Sequence, residues 1–142
     1  MDGRPINVSV RCFSIGLVLA LIGACGETAT EVRPAAADVE VAALLTPSSA
    51  SSVILDVRTP EEFAAGHIPG AVNINIDGED FAGAVAALDR DKTYVVHCAA
   101  NVPQGRSERA LGIMQELGFA NLQNMVGGIG AWTEAGGALT KP

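Results

Sequence analysis

Residues 93–96, Thr-Tyr-Val-Val, form a short β-favouring run that ends at His97-Cys98, and a helical pattern begins at Ser107 directly after Arg106. The helix is expected over residues 107–117, with Gly118 as its stop. A strand, a loop of small residues and a helix in that order place Cys98 at the carboxyl end of a strand, the usual ligand crevice of an open α/β sheet. A thiol works as a nucleophile in its thiolate form, which the unpaired N–H groups and partial positive charge of a helix N-terminus favour. Arg106 adds a cationic side chain beside it. Gly105 and its small neighbours let the backbone curl into an anion-binding nest. The expected occupant is a tetrahedral oxyanion or a sulfur anion. The plainer alternative makes Cys98 a small buried hydrophobe and Arg106 a solvated helix start.

Three further segments narrow the choice. Ile54-Leu55-Asp56-Val57-Arg58-Thr59-Pro60-Glu61-Glu62-Phe63 is followed by Gly66-His67-Ile68-Pro69-Gly70-Ala71-Val72-Asn73-Ile74, and Gly127-Gly128-Ile129-Gly130-Ala131-Trp132 follows the Cys98 loop. Together with that loop, and in this order, they resemble the rhodanese-like (thiosulfate sulfurtransferase-like) family over about residues 38–142. The resemblance implies a single α/β domain with a central, mainly parallel five-stranded sheet flanked by helices. It also implies a cysteine that takes sulfane sulfur from a donor such as thiosulfate and passes it, as a persulfide, to a thiol or cyanide, with no cofactor or metal. Carried over residue by residue, Cys98 resembles the nucleophile and Arg106 its catalytic partner. Ala99, Ala100, Asn101, Val102, Pro103, Gln104 and Gly105 resemble the substrate-binding loop, with Ser107 beyond it. Asp56 and Arg58 resemble the family's structural Asp-x-Arg at the end of a strand. The chain departs from the family in loop length, because seven residues separate Cys98 from Arg106 and the common spacings are shorter. A wider mouth lined by Pro103 and Gln104 is the expected consequence. A phosphatase or arsenate-reductase-like enzyme using the same Cys-loop-Arg, and a non-catalytic sulfur-binding or interaction module, are the alternative readings.

The bounds agree with one core. The chain has 142 residues, 49% of them hydrophobic and 18% charged, enough for a single domain. Its formal net charge of −7 disfavours nucleic acid, whose phosphates call for clustered Lys and Arg. The same charge weakly repels anionic substrates, so affinity for them has to be local.

Arg4 and Arg11 precede an apolar stretch over residues 12–25, too short to span a bilayer, which needs about 20 residues, and of signal-peptide character. Gly23-Ala24-Cys25 resembles a bacterial lipoprotein cleavage box, with Cys25 the lipidated residue. The expected division is a signal peptide over 1–24, a lipidated cysteine and flexible tether over 25–37, and the domain over 38–142. The expected location is exported, periplasmic or cell-surface, on a bacterial membrane; an ordinary secretory signal is the alternative. Of the three cysteines, Cys12 then leaves with the signal and Cys25 carries lipid, so Cys98 is left without a disulfide partner.

Within the domain, helices are expected at 39–45, from Thr59-Pro60 to near Gly66, and at 81–88, and further strands at 53–57, 71–76 and 122–126. Thr59-Pro60-Glu61-Glu62 carries a capping residue, Pro at N1 and Glu at N3, so Glu61 and Glu62 read as charges matched to a helix start. Asp77, Glu79 and Asp80 lack the other ligands of a calcium loop and read as a solvated turn. His97 and Cys98 are adjacent on a strand and point to opposite faces, which argues against a Cys-His couple. His67 reads as a turn-stabilising residue and Trp132 as the packing anchor of a terminal helix.

Overall fold

Apolar side chains on both faces of the strands, not one, dictate how this sheet is covered. Within strand β4 (Tyr94–His97) every residue is buried: Tyr94 and Val96 join one apolar cluster, and Val95 joins another on the opposite face. A strand buried on both sides has to lie centrally in a sheet with helices above and below. The computed structural model describes residues 36–46, 51–100 and 104–142 and shows that arrangement. The elements run β1 (Ala37–Val39), α1 (Val41–Leu44), β2 (Val53–Asp56), α2 (Pro60–Ala65), β3 (Val72–Asn73), α3 (Phe81–Ala86), β4, α4 (Arg106–Glu116), β5 (Leu122–Met125) and α5 (Gly128–Glu134).

The sheet is five-stranded, in the order β1-β5-β4-β2-β3, and every pairing is parallel. One face packs Leu55, Val57, Val96 and Cys98 against Phe81 and Val85 of α3 and Ala110, Leu111 and Met114 of α4. The other packs Val95 and Met125 against Val41, Ile68 and Trp132. The register sets Leu55 beside Val96 and Asp56 beside His97, so the carboxyl ends of β2 and β4 finish level and present their following loops side by side.

Two expected elements differ. The fifth strand is β1, where the sequence suggested the end of a tether and the first turn of a helix; Ala37, Asp38 and Val39 pair in register with Gln123, Asn124 and Met125. Three residues of mixed polarity carry no period of their own, and the open edge of β5 recruits them. The strand expected over 71–76 pairs only at Val72 and Asn73. Beyond it the Ile74 and Ile76 N–H groups still donate to Asp56 and Val57 carbonyls, at 3.0 and 3.2 Å, so the chain tracks the edge of β2 without extending the ladder. Among the described residues no helix is long and apolar enough to cross a membrane; the expected signal peptide over 1–24, Cys25 and most of the expected tether lie outside them.

Candidate active site

Helix α2 starts where the sequence marks it. The Thr59 hydroxyl accepts from the Glu62 N–H at 3.3 Å and the Glu62 carboxylate accepts from the Thr59 N–H at 3.1 Å, the reciprocal pair of a capping box. The same carboxylate reaches across to α4, where Arg106 donates to it through both terminal nitrogens, at 2.6 and 2.9 Å. Arg106 thereby holds the Glu62 carboxyl down at about 2, and Glu62 in turn raises the guanidinium. Planar two-point recognition of this kind fixes orientation as well as distance.

Cys98 follows the last residue of β4 and is 4% exposed. Its Sγ lies 2.8 Å from the Ala100 carbonyl and 3.6 Å from the Ser107 hydroxyl, so the thiol is folded back under its own loop. Gln104 adopts a left-handed conformation (φ 57°) and its N–H donates to the Glu108 carboxylate at 2.6 Å, and Gly105 caps α4. The other side of the loop is tied to α5. Ile129 N–H donates to the Cys98 carbonyl at 3.0 Å and Gly130 N–H to the Ala99 carbonyl at 3.4 Å. Gly128 is the close approach that allows this, with φ 59° and room for no β-carbon next to Cys98.

A hollow of about 350 Å³ opens here, lined by Cys98, Ala99, Ala100, Gln104, Gly105, Arg106 and Arg109. Seven of the residues expected at the site are therefore brought together: six in the lining, and Ser107 buried beneath it within reach of the thiol. Asn101, Val102 and Pro103 lie outside the described residues. Sequence reasoning missed two members. Arg109 stands one turn after Arg106 on α4, a spacing that puts both on one helix face, and it ion-pairs with Asp77 at 2.6 Å. Glu62 was read only as a helix-start charge.

The expected structural residues sit beneath and beside the hollow. Asp56 is fully buried and takes three contacts from the Arg58 guanidinium, at 3.0, 3.0 and 2.6 Å, while Arg58 also donates to the Gly66 carbonyl at 2.9 Å. Asn73 Nδ2 bridges the Asp56 and Arg58 carbonyls, both at 2.9 Å. His97 is fully buried on the face opposite Cys98, 3.7 Å from Asp56 through Nε2, and burial pushes its pKa down from 6.5. His67 stacks on Phe63 with ring centroids 3.6 Å apart, and its backbone pairs with Thr140. Trp132 Nε1 donates to the Ala138 carbonyl at 2.9 Å and its ring fills the cluster around Val95 and Met125. Among the described residues no group of three His, Cys, Asp or Glu is placed to hold a metal ion.

A thiol at the carboxyl end of a central parallel strand, under a loop that ends on a helix carrying two arginines, defines a cysteine-centred α/β domain built around a cationic crevice. The rhodanese-like domain profile matches residues 39–135, and the chain belongs to that family. Among its relatives, protein HIGH ARSENIC CONTENT 1 of Arabidopsis thaliana mitochondria is 38% identical over 98 residues, covering 62% of this chain and 56% of that one. The thiosulfate sulfurtransferase GlpE of Shewanella oneidensis is 35% identical over 82 residues, covering 58% of this chain and 76% of that one. A crystal structure of a rhodanese-related protein from Thermoplasma volcanium superposes with a TM-score of 0.65 at 31% identity, over 75% of this chain and 99% of that one.

Proposed function

We propose that this protein is a sulfurtransferase that carries sulfane sulfur on Cys98, taking it from a donor of the thiosulfate type and passing it to a thiol or cyanide. The observation that carries the reading is the Cys98 sulfur beneath a hollow whose described walls bear two guanidinium groups and no carboxylate. Cys98 thiolate attacks the outer sulfur of thiosulfate; the new S–S bond forms as the S–S bond of thiosulfate breaks, and sulfite leaves with the electron pair. Arg106, Arg109 and the loop stabilise that departing oxyanion. An acceptor then attacks the outer persulfide sulfur and returns Cys98 as thiolate. Sulfurtransferases among the relatives support this reaction class. A phosphatase needs a general acid for its leaving group, and none of the described lining residues supplies a carboxylic acid.

Intact-mass spectrometry of the full chain before and after thiosulfate tests the reading. A gain of about 32 Da that cyanide removes and that Cys98→Ser abolishes supports it. Failure to gain sulfur from thiosulfate and from other sulfane donors overturns it.

We propose further that residues 1–24 are a signal peptide, that Cys25 is lipidated and that the domain works on the outer side of a bacterial membrane. Support comes from the sequence pattern of the leader, Arg4 and Arg11 before an apolar stretch that ends in Gly23-Ala24-Cys25. Incorporation of a fatty-acid label that Cys25→Ser abolishes is the expected result, and a chain that retains its leader and takes up no label overturns it.

A further inference from the structure

The two guanidinium groups at the hollow are not equivalent. Arg106 is held by both oxygens of Glu62, with its side chain 25% exposed, so its orientation at the hollow is fixed. Among the described residues the Arg109 guanidinium makes one contact, from one terminal nitrogen to one Asp77 oxygen, and both partners are about half exposed, at 51% and 49%. An exposed single-contact pair in water contributes little, and its carboxylate exchanges readily for another. The hollow itself, at about 350 Å³, falls in the range that takes a small organic molecule and is larger than one oxyanion requires. With a formal net charge of −7, the rest of the chain does not attract anions, so discrimination in favour of one has to arise at such a local cation.

We infer that Arg109 is a specificity-determining residue which selects carboxylate-bearing thiols as sulfur acceptors, exchanging Asp77 for the acceptor's carboxylate while its thiolate reaches the sulfur on Cys98. The inference rests on the sulfurtransferase reading above. In the step concerned, the acceptor thiolate attacks the outer sulfur of the Cys98 persulfide. The new S–S bond joins acceptor sulfur to sulfane sulfur, the old one breaks, and its electron pair returns to Cys98 Sγ as thiolate. The acceptor leaves as its persulfide, with no net oxidant or reductant consumed. Arg109 takes part through charge and a two-point hydrogen-bonding fork, which suits a planar carboxylate better than an ammonium does.

The test is steady-state sulfur transfer from thiosulfate by the full chain to mercaptosuccinate and to 2-mercaptoethanol, read as the ratio of the two kcat/KM values. Taking a ratio cancels any effect on persulfide formation. Arg109→Gln is expected to lower the ratio roughly five- to tenfold, mainly through the KM of mercaptosuccinate, and Arg109→Lys to restore part of it. Asp77→Asn, which removes the competing carboxylate, is expected to raise the ratio. A ratio unaltered in both Arg109→Gln and Asp77→Asn overturns the inference while persulfide formation on Cys98 leaves the sulfurtransferase reading standing. Failure to form the persulfide at all overturns the reading beneath it.

Discussion

Gly128 and Cys98 meet backbone to backbone: a β-carbon on Gly128 would stand 2.5 Å from the Cys98 carbonyl oxygen and 3.1 Å from the Ala99 carbonyl carbon. Main-chain atoms cannot swing aside as a flexible side chain does, and Gly128 also holds φ 59°, a region that costs an L-residue about 1–2 kcal/mol. Gly128→Ala is therefore expected to destabilise the protein by roughly 2–4 kcal/mol in urea unfolding. Whatever folds should acquire the 32 Da sulfur adduct slowly, because the hydrogen bond from Ile129 to Cys98 anchors the loop. Gly112 is an informative control, since an added β-carbon there meets nothing within 4 Å. Gly112→Ala, in the middle of α4, should leave the loop alone and stabilise by up to about 1 kcal/mol. Equal stability of the two variants would show that the Gly128 contact is unimportant.

Glu62 pairs with Arg106, 44 residues away in sequence, and so serves the start of α2 and the guanidinium of α4 with one carboxylate. Its pKa is depressed to about 2 from the ordinary 4.5, chiefly by the hydrogen bond from Arg106. A depressed carboxylate stabilises the fold fully above the unfolded value, and the contribution is lost as pH falls from about 4.5 through about 2. Carboxyl NMR titration should find the Glu62 midpoint depressed below 4.5, by less than that full span because solvent screens the partly exposed pair. Arg106→Gln should move it upward toward 4.5. Because both partners keep partial exposure, the clasp contributes under about 1 kcal/mol to stability, and a Glu62→Gln variant should fold nearly as well as the parent. A midpoint that stays put in Arg106→Gln would refute the clasp.

That double duty shows where sequence reading reaches its limit. The capping box of α2 is written in four neighbouring residues, Thr59 to Glu62, and local hydrogen bonding alone produces it. The Cys98 loop was legible for the same reason, because a buried strand, small residues and a helix start are neighbours in the chain. Pairing partners distant in sequence leave no such mark. Glu62 carries nothing that points to Arg106, and Asp77, read as part of a solvated turn, carries nothing that points to Arg109. Strand β1 is the backbone version of this: Ala37 to Val39 becomes a strand through its register with Gln123 to Met125, not through its own composition. The end of β3 reverses the lesson, since Ile74 and Ile76 alternate as a strand should and yet lie past the last ladder pair.

Asp56 and Arg58 form a buried ion pair whose members are 0% and 6% exposed. Removing one charge from such a pair leaves the other buried without compensation, a loss of about 3–5 kcal/mol, whereas removing both is far less costly. Asp56→Asn should accordingly unfold at markedly lower urea concentration than the parent. Asp56→Asn combined with Arg58→Met should recover part of that stability. Arg58 also holds the Gly66 carbonyl, so recovery should stop short of the parent by about 1 kcal/mol. A double variant less stable than Asp56→Asn would contradict the account.

His97 adds a pH dependence of its own. Its ring is fully buried, with Nε2 facing Asp56 at 3.7 Å and Nδ1 3.2 Å from the Cys98 carbonyl, and Arg58 bound to the same Asp56. Burial lowers its pKa below 6.5, more than Asp56 and the Cys98 carbonyl raise it, and the Arg58 charge lowers it further. The folded protein thus keeps the imidazole neutral where the unfolded chain would protonate it. The sign follows: below about pH 6.5 the unfolded state binds the extra proton, so stability falls as pH drops through that value and is level above it. Urea unfolding between pH 7.5 and pH 5 should show this slope, at constant ionic strength, well above the range in which Glu62 titrates. His97→Asn, which cannot take up that proton, should be less stable at pH 7.5 and should lose stability less steeply toward pH 5. A slope in His97→Asn as steep as in the parent would place the titrating group elsewhere.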